Sequence, residues 1–132
     1  MPKKQMVESL PFRGRISTMT RDREKTELLR GTLDMLILRT LLIGPAHGHQ
    51  IAKHIQRSTD DVLQVEHGSL YPALHRLERK GWLTAKWENR DGKRELKYYR
   101  LSPAGRKQLA VEEAKWQRLV FAIARVDARA EN

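Results

Sequence analysis

The segment from Ser69 to Lys80 has two chemically opposed faces, and no other feature of the sequence constrains the fold as strongly. At about 100° per residue, the aliphatic side chains fall together on one side of a helix, as they do in a helix packed on a core. These side chains are Leu70, Ala73, Leu74 and Leu77. The other side carries polar and cationic residues with one proline, namely Ser69, Tyr71, Pro72, His75, Arg76 and Arg79. We therefore expect one face to be buried and the other to meet a partner.

The ends of this helix are predicted from its flanking residues. With Ser69 as the N-cap, Pro72 occupies the third helical position, where its missing N–H removes no helix hydrogen bond. Gly81 is expected to end the helix, because glycine is common just beyond a helix C-terminus.

A basic β-hairpin is predicted next. Trp82–Glu88 and Glu95–Leu101 are rich in β-forming residues, and the Asp91-Gly92 pair between them is a strong turn signal. The connection and the returning strand carry four cations: Arg90, Lys93, Arg94 and Lys97. A hairpin of this kind is suited to contact phosphates.

Three aromatic residues of the hairpin are assigned packing roles. Trp87 is interpreted as a packing residue. Tyr98 and Tyr99 alternate across their strand, so one is expected in the core and the other near the surface. Tyr99 shares its side of the strand with Leu101 and is the one expected to face inward.

Two helices are predicted upstream of this pair of elements. Apolar residues recur at three- and four-residue steps from Leu28 until Gly44-Pro45 ends the pattern, and a second helix is expected over residues 48–57. Three helices followed by a hairpin indicate a winged helix–turn–helix, a mainly α fold with a small β-hairpin (α+β).

A long last helix is predicted from Ser102-Pro103, with serine as the N-cap and proline at the first helical position. Its apolar face is expected to pair with a second copy of the chain through Leu109, Trp116, Leu119, Val120, Ile123 and Val126. The predicted organisation is a basic N-terminal arm (1–27), mobile or partly helical, a winged helix–turn–helix domain (28–101) and a C-terminal dimerisation helix (102–132).

The positive charge is concentrated where the fold prediction places the third helix and the hairpin. The chain has a formal net charge of +10, and residues 68–101 hold nine basic and four acidic side chains, whereas residues 28–67 hold four of each. This distribution favours a polyanionic partner, with nucleic acid first. The sequence shows no membrane span or secretory signal, so we expect a cytoplasmic protein, associated with the nucleoid when bound to DNA.

Catalytic and metal sites are not predicted. The chain has no cysteine, and it shows no nucleophile–base pair, glycine-rich phosphate loop or HExxH motif, so an enzyme is not expected. His47 and His49 form an H-x-H pair with His54 nearby, but no further ligand has matching spacing, so neither a metal nor a cofactor is predicted.

Several strings point to a family: LLRGTLDMLIL at 28–38, PAHG at 45–48, GSLYPAL at 68–74 and KYYRLSPAGR at 97–106. From Leu28 to Val126 the chain resembles the PadR family of winged-helix transcriptional regulators. Its single C-terminal helix is similar to that of the smaller PadR subfamily, in which this helix pairs with its mate in a homodimer. The resemblance implies that Tyr71 and its neighbours contact the operator and that the wing contacts the DNA at the flank of the operator. The chain departs from the family pattern at His67, at His49 and in the length of its basic arm.

Together these features predict a sequence-specific DNA-binding transcriptional regulator, with repression favoured over activation, that binds an inverted-repeat operator as a homodimer. The expected contacts to double-stranded DNA come from the third helix and the wing: Ser69, Tyr71, Pro72, His75, Arg76, Arg79, Arg90, Lys93, Arg94 and Lys97.

Two alternatives stay open. In the first, the protein is an aromatic-ligand sensor in which the Trp116 rings of two chains line a cleft for a small aromatic effector. In the second, it is a non-specific architectural DNA binder, which any duplex would occupy equally well.

Overall fold

The computed structural model describes residues 32–130, with side chains up to residue 126. Its elements in chain order are α1 (Leu33–Thr40), β1 (Ala46–His47), α2 (Gly48–Ser58), α3 (His67–Arg79), β2 (Leu83–Glu88), β3 (Leu96–Leu101) and α4 (Pro103–Ala130). The predicted N-terminal arm and the predicted helix start at Leu28 lie outside the described residues. Within the described range, no helix is long and apolar enough to cross a membrane.

The prediction of a mainly α winged helix–turn–helix with a long last helix is confirmed. The helices α1, α2 and α3 pack around one core with the first strand of the hairpin, and its largest fully buried side chains are Ile37, Leu38, Ile51, Leu70, Leu74, Leu77 and Leu83. The strands β2 and β3 form the predicted antiparallel hairpin, and a short strand that was not predicted, β1, pairs with the other edge of β3.

The start of α3 differs from the prediction. The helix begins at His67, and the backbone carbonyl of Glu66 accepts the N–H of Ser69 at 3.0 Å, so Ser69 is not the N-cap. Pro72 is therefore inside the helix, where it cannot donate to the carbonyl of Gly68. Because Gly68 is exposed, water can reach that carbonyl, and the proline is tolerated.

The end of α3 is as predicted. Gly81 adopts a positive φ of 79°, and the N–H of Trp82 donates to the carbonyl of Leu77 at 3.1 Å, which is the bond of a glycine-terminated helix. The hydroxyl of Ser102 donates to the Gly81 carbonyl at 2.7 Å and accepts the N–H of Gly105 at 3.0 Å. The predicted cap of α4 thus also connects the start of that helix to the end of α3.

Both tyrosines of β3 are buried, which corrects the expectation that only Tyr99 would be. Tyr99 belongs to the core, as expected. Tyr98 is covered instead by His47 of the neighbouring strand, edge to face at 5.4 Å, and by the guanidinium of Arg90, 4.4 Å from its ring centre. The unpredicted strand β1 and the wing together bury this second face.

Leu109 also differs from its prediction as a dimer contact. It is only 4% exposed and belongs to the core of the single chain, where α4 packs against α1. An ion pair between Arg39 of α1 and Glu113 of α4 lies close to this contact. The first part of α4 is therefore committed to the winged helix itself.

Candidate nucleic-acid interface

The outer face of α3 is exposed along its length. Its six predicted contact residues all lie at the surface: Ser69, Tyr71, Pro72, His75, Arg76 and Arg79. The aliphatic residues of the opposite face are buried. This amphipathic helix therefore has a buried side that packs on the core and an exposed side that is free to contact a ligand.

Tyr71 is held against the first turn of α2. A methyl group placed on Gly48 would lie 2.6 Å from the Tyr71 hydroxyl, so the ring occupies space that only a glycine leaves open. The His67 ring meets Tyr71 edge to face at 5.4 Å. These two contacts place an exposed aromatic ring, with its hydroxyl, at the junction of the two helices.

The tip of the wing is organised by Asp91. Its carboxylate accepts the backbone N–H of Lys93 at 2.9 Å, and this hydrogen bond lowers the pKa of Asp91. Gly92 supplies the positive φ of 77° that the turn requires. The side chains of Lys93 and Arg94 are exposed beside this turn.

Three of the predicted DNA-contacting cations are engaged in ion pairs within the chain. Arg76 pairs with Asp34 of α1 at 2.6 Å, and Lys97 pairs with Glu78 of α3 at 3.0 Å. The hydrogen bond that Lys97 donates to the Glu78 carboxylate raises the pKa of Lys97.

The third is Arg90, which pairs with Glu88 at 2.8 Å, and Arg100 binds the same carboxylate at 2.9 Å. These two partners lower the pKa of Glu88. By contrast, Arg79, Lys93 and Arg94 form no ion pair within residues 32–126, which leaves their charges available to phosphates.

A cleft of about 580 Å³ separates α3 from the wing. Its walls are aromatic and cationic, and they comprise His47, Gly48, His49, Tyr71, Trp87, Arg94, Leu96, Lys97 and Tyr99. Trp87 is 63% exposed at this cleft, so its interpretation as a packing residue is wrong. It shares the inward side of β2 with Leu83, but the strand has already passed the end of the core at that point.

Three histidines that the sequence analysis left out of the DNA-binding set lie at the cleft. His47 and His49 line it, and His67 contacts His49 and Tyr71 beside it. His47 caps α2: its ring accepts the N–H of Gln50 at 3.4 Å. Partial burial, followed by the charges of His49 and Arg94, lowers the pKa of His47 below the ordinary value of 6.5. Among the described residues, no three His, Asp or Glu side chains form a group able to hold a metal ion. The H-x-H pair at the start of α2, His47 and His49, was the sequence signal for these histidines.

The second half of α4 carries an exposed apolar stripe. Trp116 is 44% exposed, and the other members of the predicted dimer face beyond Leu109 are exposed to a similar or greater degree: Leu119, Val120, Ile123 and Val126. Phe121, which was not predicted, is also exposed. Apolar side chains in such number on one helix are typical of a protein–protein contact surface.

Comparison with known proteins finds one matching family, a related sequence and several similar structures. The sequence model of the "Transcriptional regulator PadR-like family" matches residues 37–111. The transcriptional regulator Rv3488 of Mycobacterium tuberculosis is 32% identical over 93 residues, which cover 70% of this chain and 83% of the relative.

Two solved structures show the same fold. The PadR family transcriptional regulator of Eggerthella lenta is 34% identical, with a TM-score of 0.67, and the match covers 87% of this chain and 94% of that one. A transcriptional regulator of Clostridium thermocellum is 28% identical, with a TM-score of 0.69, and the match covers 75% of this chain and 96% of that one.

Proposed function

Because the chain belongs to the PadR-like family of transcriptional regulators, we propose that it is a sequence-specific DNA-binding repressor that acts as a homodimer on an inverted-repeat operator. The observation that carries this proposal is the exposed polar face of α3 beside a basic wing. A helix of this width enters a major groove, where arginine reads guanine edges and hydroxyl groups reach bases or phosphates.

The contacts divide into two kinds. The residues of α3 are proposed to read base edges, Arg79 directly and Arg76 after it exchanges Asp34 for a base. The wing residues Lys93 and Arg94 are proposed to bind the neighbouring backbone, because they are exposed and unpaired within the described residues. Arg90 and Lys97 are proposed to reach phosphates at the flank only by exchanging the carboxylates that hold them.

The homodimer is proposed to form through the apolar stripe of α4 from Trp116 to Val126. In that organisation residues 28–101, packed on the first turns of α4, bind DNA, the later turns of α4 pair the two chains, and residues 1–27 add a basic arm. Two-fold symmetry then sets the spacing of the two α3 helices. Half-sites are expected roughly 34–36 Å apart, or at a multiple of that distance.

Selection of bound sequences from a random DNA pool tests this function. We expect the wild type to enrich a palindromic consensus. A triple variant in which Arg79, Lys93 and Arg94 are replaced by alanine should enrich no such consensus. The matched control removes three exposed cations of α4, Lys107, Lys115 and Arg118, and should enrich the same consensus. Binding without any enrichment would instead identify a non-specific architectural protein.

An effector site at Trp116 is the second candidate, and its specific support is the exposure of this ring on the α4 stripe. Two helices packed through the stripe would bring both rings to the interface, where flat aromatic compounds can stack. Such a compound should quench the wild-type fluorescence and leave a Trp116→Phe variant unaffected. Equal quenching of both proteins would contradict the site.

A further inference from the structure

Three histidine rings form a continuous chain at the junction of β1, α2 and α3. The rings of His47 and His49 stack with their centres 6.4 Å apart, and His49 meets His67 edge to face at 6.0 Å. His67 in turn contacts the ring of Tyr71 at 5.4 Å. The chain of rings therefore connects the first turn of α2 to the exposed face of α3.

The surroundings of His49 are mainly cationic. Arg94 and Lys97, from the wing, line the same cleft, and Lys53 follows one helical turn later on α2. Glu78 pairs with Lys97, and the oxygen of Asp91, a wing carboxylate close to the neighbouring His47, is already bound to the backbone of the turn.

The surroundings of His67 are aromatic and include one carboxylate. Glu66 precedes it at the start of α3, and Tyr71 and His49 face its ring. Across residues 32–126, neither His49 nor His67 forms an ion pair with a carboxylate. Both side chains are exposed. A proton on either imidazole thus has no anionic partner from the described part of the chain.

We propose that His49 and His67, together with Arg94, form an oxyanion site that takes a backbone phosphodiester of bound duplex DNA, and that protonation of the two imidazoles accompanies this binding. This inference rests on the proposed DNA-binding function and deepens it. It adds a phosphate site, at the junction of α2, α3 and the wing, to the contacts of the outer face of α3.

The chemistry of the site follows from its geometry. Two rings with centres 6.0 Å apart are close enough for one phosphate group to accept an N–H from each. Without an anion, protonating both rings places two like charges close together, which is unfavourable. A phosphate that lies beside the two rings and accepts from both offsets that repulsion, so the complex takes up protons and its affinity rises as the pH falls.

His47 has a different role in the same chain of rings. Its Nδ1 accepts the N–H of Gln50, so its neutral form is the one that caps α2. Burial and the charge of His49 lower the pKa of His47, which keeps this acceptor in place while its neighbours take up protons.

The test measures binding to a duplex of about 20 base pairs of arbitrary sequence, at constant ionic strength, between pH 8 and pH 6. Wild-type affinity should rise at least roughly threefold over this range, since each proton taken up on binding raises the affinity by up to tenfold per pH unit. A His49→Gln, His67→Gln double variant should lose most of this pH response. His54→Gln is the matched control on α2 and should keep both the affinity and the response of the wild type.

His75, on the outer face of α3, is the competing source of a proton effect. A His75→Gln variant should keep the pH response. If that variant loses the response, or if the double variant keeps it, the histidine site is wrong while DNA binding stands. If the wild type binds no duplex at any pH, the proposed function itself fails.

A comparison of duplex DNA with inorganic phosphate shows whether the site takes a backbone phosphodiester or a free anion. At pH 6, the imidazole proton resonances of His49 and His67 should shift when the duplex is added. Inorganic phosphate at the same phosphate concentration should have a much smaller effect. An equal effect would assign the site to free anions and overturn the phosphodiester assignment.

Discussion

Two helical glycines of this protein face neighbours of different stiffness. A methyl group on Gly48 would meet the end of the Tyr71 side chain, whereas one on Gly105 would lie 2.1 Å from the backbone carbonyl of Trp82. A partly exposed side chain can rotate away, but the Trp82 carbonyl, which accepts the N–H of Ser102 at 3.0 Å, cannot. Equal substitutions at the two positions should therefore have unequal consequences.

We predict that Gly105→Ala lowers the free energy of unfolding by ~1–3 kcal/mol, as overpacking against fixed atoms does. Gly48→Ala should change it by less than about 1 kcal/mol, because alanine is favoured in helices. The same substitution should weaken DNA binding by displacing Tyr71. Chemical denaturation and a mobility-shift titration of both variants measure these effects. Unchanged DNA binding in Gly48→Ala would show that the position of Tyr71 does not matter.

The cap of α2 makes folding stability depend on pH. The pKa of His47 is lowered in the folded protein from 6.5, so the folded state favours the neutral ring. This contribution is complete above pH 6.5 and is lost as the pH falls from that value through the folded pKa. His47→Asn keeps an acceptor at the cap without a titrating group.

We therefore expect the wild type to lose more stability than His47→Asn as the pH falls from 7 to 5. Thermal unfolding of the two proteins across this range measures the difference. Parallel pH profiles would exclude His47 as a contributor.

At the scale of elements, α3 and the wing are expected to contribute in different ways. Arg76→Ala should reduce discrimination between operator and random duplex by ~1–3 kcal/mol, because a base contact carries sequence information. Lys93→Ala should weaken binding to all sequences by a similar factor and reduce the salt dependence, because it removes a phosphate contact. Competition mobility shifts at two salt concentrations separate these outcomes.

The ion pair between Arg76 and Asp34 provides a control for that experiment. Both side chains are partly exposed, so losing the pair should cost little stability. Asp34→Asn frees Arg76 without removing it and should preserve discrimination. If Asp34→Asn and Arg76→Ala lose discrimination equally, α1 positions Arg76 through this pair.

At the scale of the whole molecule, the single chain leaves half of its longest helix uncovered. The face of α4 that is buried at Leu109 continues as the exposed stripe that contains Trp116 and Ile123. In the proposed homodimer, one helix serves the core of the chain with its first turns and the partner with its last ones. Because α4 also packs on α1, the position of the proposed partner would affect the orientation of the whole winged helix.

Ile123→Glu should convert the proposed homodimer to a monomer, since a carboxylate would be buried in the stripe without a partner. Arg118→Glu places the same charge on the opposite side of α4 and should leave the dimer intact. Analytical ultracentrifugation gives the masses, and circular dichroism should show that both variants stay helical. A dimeric Ile123→Glu variant would move the interface elsewhere.

The sequence by itself determined the features that depend on neighbouring residues. The two faces of α3, the glycine that ends it, the Asp91-Gly92 turn and the Ser102 cap all follow from helical period or local hydrogen bonding. The family resemblance depends on the same strings of residues. These features are predictable because the atoms involved lie within a few residues along the chain.

Only the tertiary structure decided which of these residues meet across elements. Tyr98 is buried because β1 and the wing cover it, and Leu109 is buried because α1 packs against α4. Trp87 is exposed because its strand extends beyond the core. The ring contacts of His49 with His67 likewise join α2 to α3. Burial and charge pairing depend on distances between segments that are remote in sequence, and the period of one segment carries no information about them.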